Sequence, residues 1–159
     1  MCDIFISLQN VESISKVPAD VGIELRLDLF EQIDFGLIEH TLRTSPHPVM
    51  LTVRSKGHGG RYAGEREGLL SRFLKLKPPF LDLEYDLSPE FLNDAFEQYP
   101  GKIVLSAHNV SDLNAVYRQM SQYPAYTYKL AVPVTSTIEA LELFLFAKTL
   151  KINNFIPMW

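Results

Sequence analysis

Several ionisable side chains stand within or at the ends of otherwise apolar runs, and there they could perform chemistry. Lys129 lies mid-run in Thr127-Tyr128-Lys129-Leu130-Ala131-Val132. Burial disfavours an ammonium ion and frees the amine as a nucleophile, the requirement for Schiff-base chemistry. A strand-edge lysine that reaches solvent is the plainer alternative. His108 follows Val104-Leu105-Ser106-Ala107, at the C-terminal end of an apolar run. In α/β folds ligands bind at that end, and a histidine there can move protons near neutral pH; a structural hydrogen-bonding role is the alternative. In Ile23-Glu24-Leu25-Arg26-Leu27-Asp28, strand alternation puts Glu24, Arg26 and Asp28 on one face. Buried charges cost several kcal/mol each unless paired, so this face holds either an internal Glu24–Arg26 ion pair or a polar pocket. Leu81-Asp82-Leu83-Glu84 repeats the pattern. Arg54 closes Leu51-Thr52-Val53-Arg54 and precedes Gly57-His58-Gly59-Gly60, a loop able to offer backbone N–H groups to an anion, or else a flexible turn. Together these residues describe one mouth with an anion-binding arginine pair, a proton carrier and a buried amine.

Positioning such a set takes a regular series of elements. Apolar, β-branched runs predict strands over residues 3–8, 21–28, 49–54, 80–85, 102–106 and 127–132, and the start of a seventh over 154–158. Between them lie helical patterns. Asp34 caps a helix running to Leu42, and residues 63–76 place Leu69, Leu70, Phe73 and Leu74 at helical spacing. Ser88-Pro89-Glu90 starts a third helix, and Ser111-Asp112 opens a fourth. Residues 135–149 form the longest; because 143–147 are apolar all round, burial on more than one side is expected. Alternating strands and helices predict a parallel sheet with right-handed crossovers. An open doubly wound sheet suits the length. A (β/α)8 barrel needs about 200 residues or more, and this chain stops inside its seventh apolar run.

Composition narrows the function. The 159 residues are 47% hydrophobic and 21% charged, which fits one globular domain spanning 1–159. A net charge of -4 leaves no basic footprint for nucleic acid or an acidic membrane. Cys2 is the single cysteine, so neither an intrachain disulfide nor a cysteine-based zinc cluster forms. No apolar run approaches the ~20 residues of a membrane span, and the N-terminus lacks a signal-peptide pattern, so a cytoplasmic protein is expected. No His-x-His, His-Glu-x-x-His or Gly-x-Gly-x-x-Gly pattern supplies a metal or dinucleotide site.

At these residues the chain resembles the type I 3-dehydroquinate dehydratases of the shikimate pathway. The matching segments are Glu24-Leu25-Arg26-Leu27-Asp28, Thr52-Val53-Arg54-Ser55 with Gly59-Gly60, Asp82-Leu83-Glu84, Ser106-Ala107-His108-Asn109 and Tyr128-Lys129-Leu130-Ala131-Val132. The resemblance implies an α/β fold of the (β/α)8 TIM-barrel type, incomplete at the C-terminus, with six βα units and the start of strand seven. It implies a carbon–oxygen lyase that converts 3-dehydroquinate to 3-dehydroshikimate and water in chorismate and aromatic amino acid biosynthesis. Lys129 would form the imine, His108 would act as general acid and base, and Glu24, Arg26 and Arg54 would bind substrate; no metal or cofactor would be needed. The implied partners are the small-molecule substrate, a second copy in a homodimer, and a fused shikimate dehydrogenase in a longer chain. His58 stands where the family usually has a glutamate that holds the catalytic histidine. The family's carboxylate-binding arginine falls beyond Trp159. The alternative is an inactive remnant or a non-catalytic binding protein.

Overall fold

The structure, a computed structural model, describes residues 4–149 and 155–158. It divides into two compact units, Met1–Asp82 and Leu83–Trp159. The first holds strands β1 (Phe5–Leu8), β2 (Gly22–Arg26), β3 (Val49–Thr52) and the start of β4 (Phe80–Glu84), with helices α1 (Phe35–Thr44) and α2 (Glu67–Leu76). β1 pairs with β2, β2 with β3 and β3 with β4, all parallel. Each strand is therefore reached through a crossover, as the alternating sequence pattern requires.

Register sorts the side chains of this unit into two faces. Ile23, Leu25, Leu51 and Leu81 are fully buried, as is Phe73 of α2, and Ile38 of α1 and Leu70 of α2 are nearly so. The opposite face begins with an aromatic layer. Gly22 stands beside Phe5 in register, and a Cβ on Gly22 would lie 2.6 Å from the Phe5 ring. That missing Cβ lets Phe5 lie over β2, edge-on to Phe80 at 5.6 Å and 89°. Above this layer the same face turns polar, with Ser7, Glu24, Thr52 and Asp82.

The second unit holds the end of β4, then β5 (Ile103–His108), β6 (Thr127–Ala131) and β7 (Phe155–Met158), with helices α3 (Pro89–Gln98), α4 (Leu113–Met120) and α5 (Thr137–Thr149). β5 pairs parallel with β6, and β6 with β7. Leu105, Ala107 and Leu130 are fully buried, with Leu92 and Ala95 of α3 and Met120 of α4. Phe96 stacks on Tyr123 at 5.3 Å, closing the α3 side of this core.

The helix starts follow sequence chemistry. Asp34 accepts a hydrogen bond from the Leu37 N–H, Ser88 from Phe91 with Pro89 in the first turn, and Asp112 from Ala115. Each side chain satisfies a backbone donor that the helix cannot.

Several expected bounds move. The helix expected over 63–76 begins at Glu67, because the Glu65 carboxylate accepts the N–H groups of Glu67 (2.6 Å) and Gly68 (2.8 Å) and so caps the helix from outside it. Strand 21–28 ends at Arg26, and Leu27–Leu29 forms a 3-10 turn. Strand 102–106 runs on to His108, which becomes its last residue. Asp3 and Asn154, the outer bounds of the first and seventh expected strands, lie outside the described residues.

The largest difference is at α5. Leu143 is buried at 3%, but Ile138, Leu141, Phe144 and Leu145 are 57–69% exposed, so the helix is covered on one side rather than several. An all-round apolar sequence names no single buried stripe; here the Leu143 side packs inward and Phe146 meets Tyr117 edge-on at 6.4 Å. Among the described residues, no helix is long and apolar enough to cross a membrane.

Candidate functional site

In the second unit, register brings the expected amine and the expected proton carrier onto one face. Ser106 stands beside Lys129, and His108 beside Ala131. Alternation along β5 keeps Ser106 and His108 on the same side, so Lys129 shares that side with both. Lys129 is 5% exposed and sits at the centre of β6, flanked by β5 and β7. The alternative of an edge lysine reaching solvent does not hold. Ser106 is fully buried and its hydroxyl donates to the Leu83 carbonyl, which ties the end of β4 to β5. His108 is half-buried at the strand exit. There Asn109 takes a left-handed conformation (φ 58°), and its N–H donates to the Ala131 carbonyl, so the chain turns off the sheet just past the imidazole.

In the first unit, Glu24, Arg54 and Asp82 form a buried cluster, each 5% exposed or less. The Arg54 guanidinium lies 3.3 Å from Asp82 and 3.9 Å from Glu24. Thr52 donates its hydroxyl to Glu24 at 2.9 Å, and Ser7 donates to the other Glu24 oxygen. Arg26 pairs with Asp28. The turn after β2 brings Asp28 back under the Arg26 guanidinium, and both carboxylate oxygens accept from it at 2.8 Å.

Asp28 also accepts the backbone N–H groups of Arg54 and Arg61. Burial pushes the Asp28 carboxyl up, but the Arg26 hydrogen bond and the Arg61 and Arg54 N–H groups outweigh it. The group is held below its ordinary 3.8. Arg26 is raised in turn, chiefly by its hydrogen bond to Asp28.

Both arginines lie against carboxylates, Arg26 against Asp28 and Arg54 against Asp82 and Glu24. One expectation changes here. The loop after Arg54 spends its N–H groups internally: His58 and Gly60 donate to the Ser55 carbonyl, and Gly59 to Lys56. It therefore has no cradle of spare donors at these three residues. The glycines serve packing and turning instead. Gly59 is left-handed at φ 79°, and a Cβ on Gly60 would meet the Arg54 carbonyl oxygen at 2.1 Å. His58 is buried within this loop.

Ser7, Asp28, Thr52 and Asp82 were not singled out as site residues by sequence reasoning. The alternating Glu24/Arg26/Asp28 and Asp82/Glu84 patterns were the available signal; the partnerships depend on register between distant strands. A surface hollow lined in part by Val11, Ile14, Val17 and His47 lies where the chain enters β2 and β3, and none of the site residues borders it. The Nδ1 atom of His47 is 3.0 Å from the Val21 carbonyl oxygen.

Parallel strands with crossover helices define an α/β protein, and it carries a buried lysine within one strand and a histidine at the C-terminal end of another. The chain belongs to the type I 3-dehydroquinase family, whose model matches residues 3–158. It is 29% identical over 154 residues to the 3-dehydroquinate dehydratase of Dehalococcoides mccartyi, covering 90% of this chain and 67% of that one. It is 29% identical over 136 residues to the chloroplastic bifunctional 3-dehydroquinate dehydratase/shikimate dehydrogenase of Arabidopsis thaliana. There it covers 77% of this chain but only 22% of the relative. The type I 3-dehydroquinate dehydratase of Clostridium difficile, solved with covalently modified comenic acid, has the same fold. The TM-score is 0.82 at 19% identity, over 97% of this chain and 73% of that one. The fold class is thus the incomplete barrel type expected.

The Asp28 carboxylate generates a pH prediction. Its pKa is lowered in the folded state, so its stabilisation is fully present above the ordinary value of 3.8 and is lost as pH falls through the lower native value. Denaturant unfolding from pH 5 downward should show stability falling in that window, with a shallower fall in Asp28→Asn. Equal slopes for the two proteins would refute the assignment.

Proposed function

We propose that this chain carries out the dehydratase chemistry of its family, turning 3-dehydroquinate into 3-dehydroshikimate and water, in the cytoplasm and as a single domain over 1–159. The observation that carries the reading is Lys129: a lysine 5% exposed at the centre of a strand, on the face shared with His108. Assigning these residues and the Glu24/Arg26/Arg54 cluster to one substrate rests on family membership.

The chemistry follows from the residue types. The Lys129 amine adds to the substrate ketone, and loss of water gives an imine. The protonated imine is an electron sink that acidifies the adjacent C2–H, so an imidazole is a strong enough base to remove that proton. The electron pair then expels the C1 hydroxyl, which leaves as water with a proton returned by His108. Water hydrolyses the imine, releasing product and restoring the amine. Glu24, Arg26 and Arg54 bind the substrate's hydroxyl groups. Arginines already paired with carboxylates can donate to neutral oxygens without drawing an anion into the wrong place. No metal or organic cofactor enters this scheme. A homodimer and a fused shikimate dehydrogenase belong to the same reading; the bifunctional Arabidopsis relative supports the fusion.

Borohydride reduction in the presence of 3-dehydroquinate, followed by peptide mapping, tests the amine. The expected adduct is on Lys129. An adduct on another lysine alone contradicts the mechanism, and substrate binding with no adduct supports a non-catalytic binding protein instead.

His108→Ala should still form the trapped adduct but lose C2 proton exchange by about 10²–10⁴-fold, the range for removal of a general base. Retained exchange, followed by isotope loss from C2, would move the proton-transfer role to another group.

A further inference from the structure

We propose that Asp28 is the positioning residue of the polar cluster: its one carboxylate sets the Arg26 guanidinium, the end of β3 at Arg54 and the loop back to Arg61 in a single geometry, and so fixes which hydroxylated substrate fits. The inference rests on the dehydratase reading and extends it to how this site selects a ligand.

The contacts are divided evenly. Asp28 Oδ1 accepts from Arg26 Nε at 2.8 Å and from the Arg54 N–H at 3.3 Å. Oδ2 accepts from Arg26 Nη2 at 2.8 Å and from the Arg61 N–H at 3.2 Å. Each oxygen thus takes one guanidinium bond and one backbone bond, and the Asp28 side chain has no exposed surface. A carboxylate so filled has little capacity left for a ligand, which separates its role from that of Glu24, Arg26 and Arg54.

Its position gives it leverage. Arg54 and Arg61 bracket the loop, and the Tyr62 N–H donates to the Arg54 carbonyl at 3.2 Å, so the two ends of the loop are drawn together. Asp28 sits at that neck and also holds Arg26 by two parallel charge-assisted bonds, the geometry that leaves a guanidinium least free to rotate. The Arg26 side chain remains 22% exposed, so the held group has an accessible edge from which to donate. One carboxylate therefore sets both the direction of the Arg26 donors and the backbone from which Arg54 reaches Glu24 and Asp82. It also cancels the Arg26 charge, which biases that edge toward hydroxyl oxygens over free anions.

Asp28→Asn removes the charge while nearly keeping the shape. In borohydride trapping, the 3-dehydroquinate concentration giving half-maximal Lys129 adduct should rise about 10–100-fold, the worth of a lost charge-assisted bond. The plateau rate should stay close to wild type, because the amine itself is untouched. A loss confined to foldedness would lower the plateau and leave half-saturation in place, and that result overturns the proposal. Inorganic phosphate should also compete with substrate more strongly in Asp28→Asn than in wild type; equal competition overturns the charge-cancelling role. If Asp28→Asn does not fold, amide hydrogen exchange of the wild-type chain decides: slow exchange at Arg61 and Arg54 supports the proposal, and fast exchange at both overturns it. A wild-type chain that forms no adduct, yet protects both amides and loses that protection in Asp28→Asn, refutes the dehydratase reading and upholds the placement by Asp28.

Discussion

The first unit depends on a single constraint: charges carried into a dry interior must be matched there. Arg54, Asp82 and Glu24 are each 5% exposed or less, in strands whose other face is fully apolar. Isolated, any one of them would cost several kcal/mol and would take another ionisation state or conformation. With the Arg54 guanidinium 3.3 Å from Asp82 and 3.9 Å from Glu24, and with Thr52 and Ser7 donating to Glu24, they become a fixed polar floor. The register of β1 to β4 places these partners together, so the need to match charge and the pairing of strands reinforce each other. A shift of one residue in any strand would send its polar group to the helix-covered face.

The same logic shapes what the site can recognise. An unpaired buried arginine draws any anion; one already paired donates only to groups that fit its remaining directions. In the proposed function the cluster meets the hydroxyl groups of the substrate, and the reactive chemistry falls to a different kind of residue. Lys129, in β6 between β5 and β7, is 5% exposed. In the proposed function, binding and covalent chemistry are separated by residue type: carboxylate-paired guanidinium groups for the one, a buried amine and an imidazole for the other.

How much of this was legible beforehand follows from the range of each interaction. All the strands and the caps at Asp34, Ser88 and Asp112 could be read, because alternation and capping act over a few residues. The site residues could be read as unusual for the same reason: a charge in an apolar run stands out. Their partners could not. Glu24 and Arg26 look like a pair in sequence, two residues apart on one face, yet Arg26 binds Asp28 and Glu24 meets Thr52 and Arg54 from the next strand. The loop of Gly57 to Gly60 looks open to an anion, yet the N–H groups of His58, Gly59 and Gly60 turn inward to Ser55 and Lys56. At α5, an apolar sequence fixed neither how many sides are covered nor which. Family resemblance supplied the roles of Lys129 and His108, which spacing alone left balanced against structural alternatives.

The central claim, that the buried charges are mutually matched, is tested most directly by a double-mutant cycle between Arg54 and Asp82 read by denaturant unfolding. Arg54→Met and Asp82→Asn should each cost about 3–5 kcal/mol, because each strands a buried partner. The double variant should then be more stable than the sum of the two losses allows, by more than about 1 kcal/mol. Losses that add to within about 0.5 kcal/mol, as for distant independent sites, would contradict the account.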